Sequence, residues 1–164
     1  MSQQNPVRLF VAHAWEESDD YHRIFEYLES ARNFYYRNTS TPEHKPGPDP
    51  EARREDLRRQ IGVAEILVAP ASLYLTQPDL LLFEMNFAQS VKKPVLLVRP
   101  FGVQAVVPKV LLERADDVVD WMSVVWWTRY GAWPATKILP ATIRLSSRSR
   151  TSRTSSSKSS RARR

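Results

Sequence analysis

Apolar residues along this chain come in short blocks separated by polar, helix-forming stretches. Val7-Arg8-Leu9-Phe10-Val11-Ala12-His13 is a compact, β-rich apolar run, which predicts a first strand covered on both faces. Ser18-Asp19-Asp20 then supplies an N-cap and acidic groups for the first turn of a helix. The expected core stripe of that helix is Tyr21, Ile24, Phe25, Leu28 and Ala31. Phe34-Tyr35-Tyr36-Arg37 reads as a short second strand, and the four prolines between Thr41 and Pro50 predict a loop without regular structure. Asp49-Pro50 is a helix start, opening an Arg-rich helix that runs to about Val63. Ile66-Leu67-Val68-Ala69 is the third expected strand. A helix from Pro78 to about Val91, a fourth strand at Pro94–Val98, a short helix over Pro108–Arg114 and a short fifth strand at Val118-Val119 complete the pattern. Strands and helices alternate throughout, which predicts an α/β fold with a central parallel sheet and helices on both faces. Such sheets bind ligands beyond the carboxyl ends of their strands, where strand order reverses. The residues just after strands one, three and four are therefore the ones with a chemical role to look for.

Composition narrows the chemistry. Of 164 residues none is cysteine, which excludes a disulfide framework, a thiolate metal site and a cysteine nucleophile. The four glycines are too few and too scattered for a Walker loop or a dinucleotide GxGxxG. A body of about 130 residues is large enough to bury roughly two thirds of its unfolded surface. Met1-Ser2-Gln3-Gln4-Asn5-Pro6 has neither a basic flank nor a long apolar run, so no secretory signal is expected. No stretch approaches the roughly 18 apolar residues of a membrane helix, and the expectation is a soluble, cytoplasmic protein.

The net charge of +6 divides unevenly. All 18 acidic residues lie before position 121, together with 14 of the basic ones; the remaining 10 basic residues follow with no acid among them. Residues 146–164 consist of Ser, Thr, Arg, Lys and a single Ala, a composition that predicts a disordered tail. Such a tail either meets nucleic acid electrostatically or is a terminus without function. The lack of interleaved aromatics to stack on bases argues for the second.

Two common tenants of this architecture are excluded by the expected strand ends. A phosphoacceptor receiver needs acidic groups after strand one and an Asp after strand three, but Ala12-His13-Ala14 and Ala69-Pro70-Ala71 stand there. A flavodoxin needs a Ser/Thr/Gly-rich phosphate loop after strand one, and Ala14-Trp15-Glu16-Glu17 would repel a phosphate. The unusual residue is Glu84. Leu80, Phe87, Ala88 and Val91 lie at helical spacing from it, so its carboxyl is expected on an apolar stripe. A carboxylate there must be paired, hydrated in a cleft or neutralised. A salt bridge to a nearby Arg is one reading, and a functional carboxylate is the other.

Several segments taken in order carry a family resemblance. They are Val7 through Trp15, Ser18-Asp19-Asp20-Tyr21, Arg37 through His44, Tyr74 with Phe83-Glu84, Lys93 through Gly102, Pro108-Lys109-Val110, and Ala115 through Trp121. Across residues 7–121 the chain resembles the TIR-like family of the Thoeris antiphage system. The resemblance implies a three-layer, flavodoxin-like TIR fold with a central five-stranded parallel sheet. It also implies cleavage of NAD⁺ as substrate, with no separate cofactor or metal, to release nicotinamide and form a cyclic ADP-ribose-type signal. That signal would link the chain to a partner effector, and self-association on activation is expected. The domain layout that follows is a flexible N-terminus at 1–6, the TIR-like domain at 7–121, a divergent segment rich in Trp and Pro at 122–145, and the basic tail at 146–164.

Under this resemblance Glu84 is the catalytic residue, and Ser72, twelve positions earlier, falls at the family's serine. Cleaving the ribose–nicotinamide bond passes through an oxocarbenium-like state that a nearby carboxylate stabilises, and nicotinamide leaves as a neutral group without a strong general acid. His13 matches the family's strand-one His, either touching ligand or tying its loop. Trp15 either stacks on a ring or caps the core. Arg37 and Asn38 are expected near phosphate or ribose, Tyr74 beside the cleft, and Arg99 on a pyrophosphate or on Glu84 itself. Asp19 and Asp20 are expected as helix caps. Two departures stand out: Ala12-His13-Ala14 replaces the family's Ser-His-Ser, and Leu80 replaces a Trp four residues before the glutamate. The competing expectation is a non-catalytic TIR-like interaction module in which Glu84 forms an ion pair.

Overall fold

Five strands, β1 (Val7–Val11), β2 (Tyr36–Asn38), β3 (Ile66–Pro70), β4 (Val95–Val98) and β5 (Asp117–Val119), form one sheet in the order β2-β1-β3-β4-β5. Every neighbouring pair is parallel. The computed structural model describes residues 5–30, 34–102 and 106–121. The segments 122–145 and 146–164, Ala31 of the first helical stripe and the first four residues lie outside the described residues.

Helices α1 (Asp19–Ser30), α2 (Pro50–Val63), α3 (Leu73–Thr76), α4 (Pro78–Ser90) and α5 (Lys109–Leu112) connect the strands. Local chemistry explains the starts of the two helices with side-chain caps. Ser18 Oγ accepts from the Tyr21 N–H at 3.2 Å. Asp49 accepts from the Glu51 and Ala52 N–H groups at 3.1 and 3.3 Å, with Pro50 in the first turn of α2. Each cap satisfies N–H groups that have no partner within the helix.

The strands sort their side chains by alternate positions. Val7, Leu9 and Val11 of β1, Ile66 and Val68 of β3, and Leu96 and Val98 of β4 pack with Tyr21, Ile24 and Leu28 of α1. Phe10 and Ala12, Leu67 and Ala69, and Val95 and Leu97 face the other way, against Leu57 and Ile61 of α2, Leu81, Met85 and Ala88 of α4, and Leu111 of α5. The protein is thus a three-layer α/β structure with the flavodoxin-like strand order. Chain direction across the sheet reverses between β1 and β3: β1 leads into α1 on one face, and β3 leads by way of α3 into α4 on the other.

Three local features differ from the sequence pattern. β2 spans Tyr36–Asn38, further along than the expected Phe34–Arg37. A helical turn, α3, stands between β3 and α4 where none was expected. The buried stripe of α4 is Leu81, Glu84, Met85 and Ala88; Leu80 and Phe87 are half-buried and Val91 is exposed. α4 is apolar nearly all round, so periodicity alone does not select its inner face. Its flank carries Phe83 stacked on Phe87 with ring centroids 6.4 Å apart. The Arg54 and Arg58 guanidiniums of α2 lie 5.7 and 5.4 Å from the Phe83 ring and cover it.

Candidate functional site

The reversal between β1 and β3 opens a cleft of about 260 Å³ at the carboxyl ends of the strands. Its floor and near wall are Ala12, His13 and Ala14 after β1. Across from them are Ser72, Leu73 and Thr76 of the β3–α4 connection, and the rim is acidic, with Glu16, Asp19 and Asp20 beside Ser18. Asp19 and Asp20 occupy the first turn of α1, where they oppose the positive end of the helix dipole. The cleft mouth is therefore suited to a positively charged or hydroxyl-bearing group and unsuited to a bare phosphate.

Glu84 lies behind this wall. It is 0% exposed, and among the described residues neither carboxyl oxygen has a hydrogen-bond partner. Burial pushes its pKa well above the ordinary carboxylate value, and the backbone of His13 pulls weakly the other way. Among the described residues Glu84 forms no ion pair, so the salt-bridge reading of this position is corrected: no arginine pairs with the carboxyl, and burial favours its protonated form. Leaving it without a partner costs about 1–3 kcal/mol even in the neutral form.

His13 is the hinge between the cleft and the interior. Its imidazole is only 2% exposed and sits among the rings of Phe10, Trp15 and Tyr21, with centroids 5.4, 6.2 and 6.3 Å away. Nδ1 accepts from the Trp15 N–H at 3.1 Å, and Nε2 lies 3.3 Å from Gln60 Oε1. Both ring nitrogens are thus engaged within the protein. Burial lowers the His13 pKa below its ordinary value, which keeps the ring neutral at physiological pH.

The other expected site residues are dispersed. Ser72 lines the cleft. Trp15 adopts a left-handed φ of 54°, packs against the core on the α2 side, and has Arg53 5.8 Å from its ring; it caps the core and does not line the cleft. Tyr74 packs half-buried against the same core. Arg37 is exposed on the edge strand β2, in register with Arg8. Asn38 is spent on structure: its Nδ2 donates to Tyr21 Oη at 3.1 Å, and its Oδ1 accepts the Ser40 N–H at 2.9 Å. Arg99 pairs with Asp120 at 3.2 Å and contacts neither Glu84 nor the cleft. The cleft thus gathers His13 and Ser72, with Glu84 behind it, and leaves Arg37, Asn38 and Arg99 elsewhere.

Sequence reasoning missed the buried polar pair on α2, Asp56 and Gln60, which are 6% and 5% exposed. The signal was weak, since α2 is highly polar and these two look like surface residues. Among the described residues no group of three His, Asp or Glu is arranged to hold a metal ion, and no helix is long and apolar enough to cross a membrane. Comparison with known proteins finds no family model that matches the chain and no matching curated protein.

Proposed function

We propose that the chain is a TIR-like enzyme of antiphage defence that cleaves NAD⁺, releasing nicotinamide and forming a cyclic ADP-ribose-type signal for a partner effector. The observation that carries this reading is Glu84: a fully buried carboxyl with no partner, set behind the switch-point cleft against the backbone of His13. An unpartnered carboxyl is destabilising, and such groups concentrate where chemistry is done. The acidic cleft mouth also suits the cationic nicotinamide end of NAD⁺ better than its pyrophosphate.

In the reaction the bond between ribose C1′ and the nicotinamide nitrogen breaks, and its electron pair leaves with the now neutral nicotinamide. The positive charge left on the ribosyl group is what a Glu84 carboxylate would stabilise. Burial favours the protonated form of Glu84, so as the cleft wall moves to admit the cationic ring the carboxyl releases its proton to water. A nitrogen of the same molecule's adenine then bonds to C1′ and takes on the positive charge, or water does so and gives up a proton to solvent.

The full chain, incubated with NAD⁺ and a phage-infected lysate, is expected to release nicotinamide, and Glu84→Gln to reduce that release by at least about a hundredfold with circular dichroism unchanged. Intact NAD⁺ with the native chain, or equal activity in the variant, would overturn the reading. The second reading is a non-catalytic interaction module, favoured by the complete enclosure of Glu84. It expects partner capture that Glu84→Gln leaves untouched and no turnover in either protein.

A further inference from the structure

Asp56 and Gln60 take no part in the chemistry above, yet they are among the most enclosed polar side chains of the protein. They form a directional chain of hydrogen bonds. Asp56 Oδ2 accepts from Gln60 Nε2 at 2.6 Å, while Oδ1 pairs with Arg59. With its NH₂ committed to a carboxylate, Gln60 turns its Oε1 the other way. There it accepts the Thr41 N–H at 2.9 Å and faces His13 Nε2 at 3.3 Å. Only an oxygen can accept from the Thr41 N–H, so the amide orientation is fixed by its partners. An acceptor opposite Nε2 requires the imidazole proton to sit on Nε2. Nδ1 is then free to accept the Trp15 N–H at 3.1 Å, which anchors a residue in the left-handed region.

We propose that Gln60 is a positioning residue for the cleft wall, acting through His13: it selects the His13 tautomer and seats the ring, and so fixes the Ala12–Ala14 segment that lines the cleft. The proposal rests on that cleft being the working site. A side chain that merely filled the core could be apolar with little loss. Gln60 instead makes separate, oriented contacts to an acid, to a loop amide and to an imidazole.

The test uses the full chain and begins without any substitution. Nitrogen-15 NMR of the native protein at neutral pH is expected to show His13 as the neutral Nε2–H tautomer; the Nδ1–H form or an imidazolium would overturn the proposal outright. In Gln60→Met the His13 signals are expected to move toward a tautomer mixture. Nicotinamide release is expected to fall by about a hundredfold, the scale of a displacement of about 1 Å. The polarity-reversed pair Asp56→Asn with Gln60→Glu, which keeps an acceptor toward His13, is expected to restore the native Nε2–H tautomer. A lower melting temperature with unchanged His13 signals would show a purely structural role and sink the idea. The NMR results do not depend on turnover: absence of NAD⁺ cleavage by the native chain would defeat the enzymatic reading alone.

Discussion

Glu84 and His13, both buried, respond to pH in opposite senses. Burial raises the Glu84 pKa above its ordinary 4.5, so between that value and the raised one the folded protein holds a proton that the unfolded chain has lost. Stability from this group is complete below about pH 4.5 and declines as pH rises toward the folded pKa. Burial lowers the His13 pKa below 6.5, so its contribution is complete above about pH 6.5 and is lost as pH falls through the lowered value. Below pH 6.5 the two trends oppose each other, and above it the glutamate acts without that counterweight. Replacing Glu84 with Gln removes one trend only. Denaturant unfolding from pH 5 to pH 8 is therefore expected to show Glu84→Gln gaining on the native protein, by up to about 1.4 kcal/mol per pH unit. A difference that stays constant across that range would mean the carboxyl ionises freely, which is incompatible with its enclosure.

At the scale of elements, the strength of a local signal decided what could be read beforehand. The start of α2 was legible because Asp49-Pro50 combines a capping carboxylate with a proline whose missing N–H is harmless in the first turn. Asp49→Ala is expected to lower stability by about 1 kcal/mol in a urea melt, with Asp49→Ser retaining most of it; an Ala variant as stable as the native chain would mean water caps the helix equally well. α1 was legible because its apolar stripe is flanked by charged residues. α4 was legible as a helix but not in its rotation, since Leu80, Leu81, Leu82 and Phe83 offer several apolar faces and the choice was made by the sheet and by the arginines of α2. β2 is a three-residue edge strand with two exposed positions, and little in its sequence fixes a register. The position of Glu84 was legible as a conflict between a charge and an apolar stripe. Its lack of any partner was not, because that depends on where Arg99 goes, and Arg99 turns to Asp120. The link from Gln60 to His13 crosses 47 residues and leaves no trace in local periodicity.

Among the described residues the centre of the sheet is enclosed on every side while the cleft lies at its edge, and this bears on how a closed site opens. β1 and β3 are flanked by strands on both sides and covered by helices on both faces. Ala12 donates to Val68 at 2.9 Å and Leu67 to Pro94 at 3.0 Å, so these amides can be exposed only by separating the centre of the sheet. The far wall of the cleft has no such support: α3 is one short turn with no buried residue, and Trp15, next in the chain after the near wall, departs from the usual backbone region. Opening the path to Glu84 thus requires movement of a loop and a helical turn rather than of the sheet. Native-state hydrogen exchange is expected to order the amides accordingly. Leu67, Val68 and Ala69 should exchange only through global unfolding, with a free energy equal to that of denaturant melting. Leu75, whose N–H reaches only Ser72 within its own turn, and Trp15, tied to His13 Nδ1, should exchange through local opening that denaturant barely affects. Relative to its intrinsic rate, Trp15 should lose protection further as falling pH protonates His13 and removes its acceptor. Exchange of Trp15 and Leu75 as slow as that of Leu67 would mean that the wall moves only when the protein unfolds, leaving Glu84 out of reach of any substrate.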